Sequence, residues 1–446
     1  MNKAEKLRYY IQGSYQKQDD IFPALKKYHY GRQLYKIGNN NSFAFKVCGI
    51  MLIHDTPIVI FPKNYHLSSS DGSPAAASII RQEAACLIRV FHQYIQEYQP
   101  EWEKICLQTG SQSNTFGCSL EEVLYILDDF HKNGYLKRKH TIISQTRLGR
   151  ILWNKTIHQT QPLHTHRQAI YTEPFMQSDI RIRNAMIQRI HRYLVCRFRY
   201  LWGWLNEDDF PASHIPDLPC SREEAIAVLR MELRQCYVQR EVSVIQSMLR
   251  YLLQQRGKDK KEQPELLLTP DFHWIWEKVC GAVLGNVYTE IADDLLCKPR
   301  YQGKNHPAIQ GQVPDILCIR KNKLYVLDAK YYDYHYTFPH WSDFTKQFFY
   351  FYTIKERLAN LPDKLAHYRN LQAHANALLM PEYQLHESEI QRYLGILDLP
   401  WNPSLGTIQV WLLNAKKIFS AYLNPAERSA IQKSFFDEID QKSYTV

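Results

Sequence analysis

Two runs rich in β-branched and aromatic residues, Phe43 to Ile53 and Ile58 to Phe61, flank His54-Asp55-Thr56-Pro57 and predict a hairpin near the start of the chain. After the polar loop Ser68 to Gly72 the period lengthens. Ile80, Ala84, Leu87, Val90, Phe91 and Tyr94 recur at helical spacing, with Ser73 as N-cap and Pro74 as the first residue of a helix ending near Tyr98. A second helix is expected from Ser119, where Glu122 completes a capping box, to a stop at Asn133-Gly134. The basic run Lys137-Arg138-Lys139-His140 follows, and then the β-prone Thr141 to Ser144. Helix, glycine turn and basic hairpin fit a winged-helix module in which Lys137, Arg138 and Lys139 contact nucleic-acid phosphates. They also fit an ordinary helical subdomain with a solvated basic loop.

Helical period resumes from Asp179 to Trp204, where Arg181, Arg183, Arg189, Arg192, Arg197 and Arg199 interleave with Tyr193, Phe198, Tyr200 and Trp202. Such a segment either offers phosphate contacts and base stacking, or buries its aromatics and lays the arginines over the opposite face. Another helical stretch, Arg222 to Gln255, leads into the charged run Arg256 to Pro264, which marks a domain boundary. Beyond it, Val313 to Ile319 reads as a short apolar strand, Arg320 to Lys323 as a turn and Leu324 to Tyr331 as a second strand. Side chains two apart on a strand share a face, so Asp328 and Lys330 point one way while Leu327, Ala329 and Tyr331 point the other, and the hairpin brings Asp315 up beside them. Thr269 and Pro270 open a helix over residues 271–280, Ser342 to Tyr350 reads as a helix, and Thr407 to Leu413 as a later buried strand. The expected fold is α/β in its C-terminal part and α+β overall. It comprises an N-terminal α+β module at 1–165, a helical connecting region at 166–264, and a mixed sheet flanked by helices at 265–446.

Two carboxylates converging beside a lysine suit a hard, oxygen-seeking cation. Asp315 and Asp328 are expected to hold Mg²⁺, or Mn²⁺, with the carbonyl of Ala329 as a further ligand. Lys330 then orients or helps deprotonate an attacking water, or balances charge on a phosphorane-like transition state. That is the chemistry of phosphodiester hydrolysis. Composition agrees: 55 Lys and Arg against 45 Asp and Glu give a formal +10, which tilts the partner toward a polyanion.

Other classes lose ground. Ten cysteines without a CxxC pair argue against a zinc ribbon, and His164-Thr165-His166 lacks a third ligand and reads as a polar loop. No GxSxG elbow, GxGxxG turn or P-loop is present, so acyl transfer and dinucleotide chemistry recede, and the chain is not itself a nucleotide-driven motor. The first residues carry no apolar leader segment, and the apolar stretch Ile50 to Phe61 is interrupted by His54 and Asp55. The expectation is a reduced, cytoplasmic chain without a membrane span.

Pro314-Asp315 followed by Asp328-Ala329-Lys330 on adjacent strands resembles the PD-(D/E)XK nuclease superfamily. In that superfamily an upstream helix often adds an acid to the metal site, a place matched by Glu277. A downstream helix supplies a Gln and a Tyr, matched by Gln347 and Tyr350. Over a longer span, Asp328 to Tyr332 with Pro339, Asp343 and Lys346 to Tyr350, together with Ile58 to Tyr65 and Gly149 to Ile157, looks like the LlaJI family of restriction endonucleases. The resemblance implies a bacterial restriction or defence enzyme that cleaves double-stranded DNA. In some such systems the nuclease works with a separate AAA-type GTPase motor of the McrBC kind. Cleavage of both strands would call for a homodimer or two assembled copies. Asp333 is an additional acid to which the pattern gives no role. Two rival readings stand beside this one: a nuclease-fold subunit without activity that binds DNA or assembles a complex, and a nuclease acting on RNA. Retention of Asp315, Asp328 and Lys330 together argues against the first.

Overall fold

The computed structural model describes residues 7–27, 34–53, 56–67, 74–98, 118–145, 149–164, 168–182, 185–206, 208, 210–254, 265–301, 304–305, 311–332, 334–335 and 337–443. The chain divides into two units, one formed by residues 1–118 and 264–446 and the other by residues 119–263. This differs from three consecutive domains, and the reason is a strand pairing. In the first unit, β1 (Arg8–Ile11), β2 (Cys48–Ile53), β3 (Thr56–Phe61) and β4 (Glu265–Thr269) form a sheet in the order β1-β3-β2-β4, so that β4 closes a sheet begun more than two hundred residues earlier. Gly49 makes this pairing possible. Its φ is +135°, and a Cβ there would collide with the carbonyl oxygen of Leu267.

The expected hairpin is present as β2 and β3, with residues 54–55 outside the described residues. Phe43 to Phe45 does not extend it. That segment belongs to a strand, Ser42–Phe45, of a separate three-stranded sheet with Tyr35–Ile37 and Gln16–Lys17, because the exposed Lys46 interrupts the apolar run.

The largest sheet described in this unit has five strands, β5 (Ile316–Arg320), β6 (Lys323–Ala329), β7 (Gln372–Glu382), β8 (Gln391–Leu397) and β9 (Ile408–Asn414), in the order β5-β6-β7-β9-β8. The central β6, β7 and β9 are parallel and the edge strands antiparallel. Parallel strands bury both faces. Around them lie helices α1 (Pro74–Glu97), α2 (Phe272–Leu284), α3 (Tyr288–Leu295), α4 (Trp341–Ala359), α5 (Ala415–Leu423) and α6 (Pro425–Ser443). Leu317, Leu324 and Val326 pack with Ile291 and Leu295 of α3 and Phe351 and Ile354 of α4. On the opposite face Tyr325 stacks near Phe436 of α6 at 4.6 Å and donates its hydroxyl to Asp440 at 2.7 Å. The stripe expected on α1 is buried throughout, and Phe91 meets Phe272 of α2 at 5.8 Å. Ser73 lies outside the described residues.

Helix α2 starts at Phe272 with Asp271 in the N-cap position, two residues later than expected. Thr269 is instead the last residue of β4, paired with Cys48, and its hydroxyl accepts the Asp271 N–H at 3.0 Å.

The second unit is largely helical. Its first helix, Cys118–Asn133, ends at Gly134 with φ +70°, and the strand Arg138–Ser144 follows, antiparallel to Met176–Ile182 with Lys139 opposite Arg181. Glu122 does not serve a capping box: it is buried, and its carboxylate accepts the Arg250 guanidinium at 3.0 Å. Residues 179–182, expected in a helix, are strand, since Ile180 and Ile182 alternate with Asp179 and Arg181; the helix runs from Met186 to Trp202. Its aromatics Phe198 and Trp202 are core, and Arg199 pairs with Asp208 at 2.9 Å while lying over Phe210. Arg222 to Gln254 is two helices, Arg222–Gln235 and Gln239–Gln254, separated by the extended Cys236; residues 255–264 lie outside the described residues. Among the described residues no helix is long and apolar enough to cross a membrane.

Candidate active site

The hairpin of β5 and β6 turns through Lys321 and Asn322, both with positive φ (47° and 62°), the backbone of a two-residue turn that matches strand twist. That tight turn fixes the register, Ile316 opposite Leu327, and so fixes which residues meet at the open end. There Asp315 precedes β5, and its Oδ2 accepts the backbone N–H of Ala329 at 3.0 Å. Asn286 holds the same corner from the other side. Its amide donates to the Asp315 carbonyl at 3.0 Å, and its oxygen accepts the N–H of Leu317 at 2.9 Å. The Lys330 N–H donates to the Leu379 carbonyl at 2.8 Å and continues the parallel ladder with β7.

Asp328 and Lys330 share a face as the strand period requires. The Lys330 ammonium stands 2.8 Å from Asp328 Oδ2 and 3.8 Å from Asp315 Oδ2. Burial, and then the negative charges of Asp328 and Glu277, push Asp315 up to about 8. Burial works against the charged form of Lys330, but Asp328 and Asp315 outweigh it and hold the lysine above its ordinary value. Glu277 on α2 is also raised, chiefly by burial. The corner is thus short of positive charge, the electrostatic condition in which a bound cation gains most.

These groups open into a cleft of about 310 Å³ lined by Glu277, Asp315, Ala329 and Lys330, and also by Gln12, Lys63, His273, Tyr332 and Asp343. Asp328 lies beneath, 6% exposed. Gln347 is placed elsewhere. It is buried in α4, outside the cleft lining, and its amide donates to the Val326 carbonyl at 3.1 Å and to Asn376 Oδ1 at 2.7 Å. It supports the backbone of β6 two residues before Asp328. Tyr350 is half-buried on the same helix.

Sequence reasoning missed Gln12 and Asn286, and it quoted His273 and Tyr332 only as parts of a helix and a motif. It quoted Lys63 and Asp343 within longer motifs without giving them a place. The Asp343 carboxylate accepts the Tyr332 hydroxyl at 3.1 Å and caps α4 through the His340 N–H at 3.0 Å. Of the other candidates, Lys137 is exposed, the strand carrying Arg138 and Lys139 is described only in its backbone, and His164 is exposed on a short strand. His166 and Asp333 lie outside the described residues.

The donor set suits a hard divalent ion: two carboxylates, a backbone carbonyl at Ala329, and no sulfur or imidazole between them. Among the described residues no three His, Cys, Asp or Glu side chains stand in metal-holding geometry, so Glu277 lines the cleft without closing a three-acid set. An ion that uses one or two carboxylates and fills its remaining positions with water or phosphate oxygens fits such a corner, and Mg²⁺ is of that kind.

Comparison with curated proteins gave no match. Two solved structures from Thermococcus gammatolerans are similar at 12% identity. One is a refined half-complex from a tetradecameric assembly of McrB AAA+ hexamers with bound McrC; the match covers 94% of this chain and all of the other at a TM-score of 0.41. The second is a cryo-EM structure of the McrBC complex, with 54% of this chain and 79% of the other covered at a TM-score of 0.25. The family model for the LlaJI restriction endonuclease matches residues 47–397, a span that takes in β2, β3, the hairpin with Asp315, Asp328 and Lys330, and α4. The chain therefore belongs to the LlaJI restriction endonuclease family.

Proposed function

We propose that this chain is a metal-dependent endonuclease of a restriction system that hydrolyses phosphodiester bonds of double-stranded DNA in the cleft at the end of β5 and β6. The observation that carries the reading is the convergence of Asp315, Asp328 and Lys330 on one corner, with Asp315 held by the Ala329 N–H. Family membership supports it independently. Asp315, Asp328 and the Ala329 carbonyl would hold Mg²⁺ or Mn²⁺, with Glu277 as a further acid lining the same cleft. When bound, the ion supplies Lewis-acid polarisation of a phosphoryl oxygen. Lys330, already charged and fixed between the two acids, offsets the charge that develops on the scissile phosphate. Gln347 keeps β6 in place beneath them.

In the second unit, Lys137 follows the Gly134 turn and leads into the strand that carries Arg138 and Lys139. A basic run in this position is of the kind that meets backbone phosphates, and a phosphate-contacting role belongs to the proposal. A separate AAA-type GTPase motor and a second copy for the opposite DNA strand belong to the same proposal, since the sequence carries no P-loop of its own and one corner holds one set of acids.

The ion provides the test. Full-length protein should cut duplex DNA with Mg²⁺ or Mn²⁺, stop in EDTA, and bind without turnover in Ca²⁺. Undiminished cleavage in chelator with no divalent ion added would mean a metal-free reaction and would overturn the reading.

A further inference from the structure

The cleft is not built by the C-terminal sheet alone. Gln12, just after β1, and Lys63, two residues after β3, line it together with His273, Glu277 and Tyr332. Strands β1 and β3 run parallel, Ile11 beside Phe61, so both residues leave the same end of the N-terminal sheet. The Gln12 N–H donates to the Phe61 carbonyl at 2.9 Å, and the Gln12 amide donates to the Lys46 carbonyl at 2.7 Å. Just beyond, Tyr65 stacks on Phe61 at 4.4 Å and meets Tyr383 at 4.7 Å. Tyr383 follows β7, the strand paired with β6, so the segment carrying Lys63 is packed against the sheet that holds Asp328.

Charge decides what Lys63 does there. Three acids line the cleft, Glu277, Asp315 and Asp343, and Lys330 is engaged by two carboxylates. Lys63 is exposed, and among the described residues its ammonium has no carboxylate partner. A polyanionic strand entering an acidic cleft requires a cation that is not already neutralised. We infer that Lys63 is a substrate-binding residue, contributed by the N-terminal sheet, that contacts a backbone phosphate of the strand lying in the cleft. This rests on the nuclease reading above.

The test uses the full chain as wild type, Lys63→Ala and Lys63→Arg. Binding of a labelled duplex is followed in Ca²⁺ across a salt series, single-turnover cleavage in Mg²⁺, and thermal unfolding alongside. Lys63→Ala should bind about fivefold to tenfold more weakly and lower the slope of log K against log salt by about one, with an unchanged melting midpoint; Lys63→Arg should restore both. If wild type binds and cuts while Lys63→Ala matches its affinity and slope, the inference alone falls. A lowered melting midpoint without rescue by arginine makes Lys63 structural and overturns it as well. Wild type that neither binds nor cuts duplex DNA removes the nuclease reading and this inference together.

Discussion

Lys330→Ala should leave the protein folded and able to bind duplex DNA but slow cleavage by about 10²–10³-fold, the size of effect seen when one preorganised group is removed from a reacting centre. The lysine is held by two acids and by the β6–β7 ladder, so its ammonium is already in position before substrate arrives. Removing it leaves Asp315 and Asp328 facing each other without the charge that separates them. The variant should therefore take up a divalent ion at least as well as wild type, and the lost rate should sit in kcat rather than KM. Single-turnover cleavage with saturating protein reads this directly. A Lys330→Ala protein that cuts within a few-fold of wild type would remove the residue from the chemistry.

The second large effect is on folding and comes from a position far from any acid. Gly49→Val places a side chain against the Leu267 carbonyl at a φ of +135°, which a β-branched residue avoids. The pairing of β2 with β4 must then open, and the fully buried Leu267 loses its place. Burial of one such side chain is worth about 1.5–3 kcal/mol, and the strained backbone adds about 1–3 kcal/mol. Against a typical stability of about 5–15 kcal/mol this is a large fraction, so the variant should show a clearly lower urea midpoint or fail to accumulate. Because β4 leads directly into α2, which carries Glu277 into the cleft, cleavage should fall with stability. An unchanged midpoint would mean that the N-terminal sheet is dispensable to the C-terminal one.

That coupling explains what the sequence could and could not show. Asp315, Asp328 and Lys330 were readable because the hairpin is local: a two-residue turn and a period of two fix which side chains meet. The α1 stripe was readable for the same reason, as a helical period within one segment. Lys63 and Gln12 were not, since only the pairing of β1 with β3 and of β2 with β4 brings them to a hairpin far along the chain. Gln347 enters as a site residue through the resemblance to related nucleases, and neither that resemblance nor spacing along a helix says whether an amide ends in the cleft or beneath it. Residues 179–182 were misread because four residues of period-two alternation adjoined a strongly helical run. Glu122 fitted a local capping pattern but is claimed by Arg250, a tertiary partner that no local pattern reveals.

The most direct measurement is plasmid cleavage by the purified full-length chain in Mg²⁺, wild type beside Asp328→Asn, with duplex binding in Ca²⁺ and thermal unfolding measured on the same preparations. Asparagine keeps the size of the side chain while removing its charge and turning one acceptor oxygen into an amide donor. The expected result is cleavage by wild type and none by Asp328→Asn, at equal DNA affinity and with both proteins folded. Cleavage by Asp328→Asn at the wild-type rate would contradict the account, because the corner formed by Asp315, Asp328 and Lys330 would then not be where the phosphodiester bond is broken.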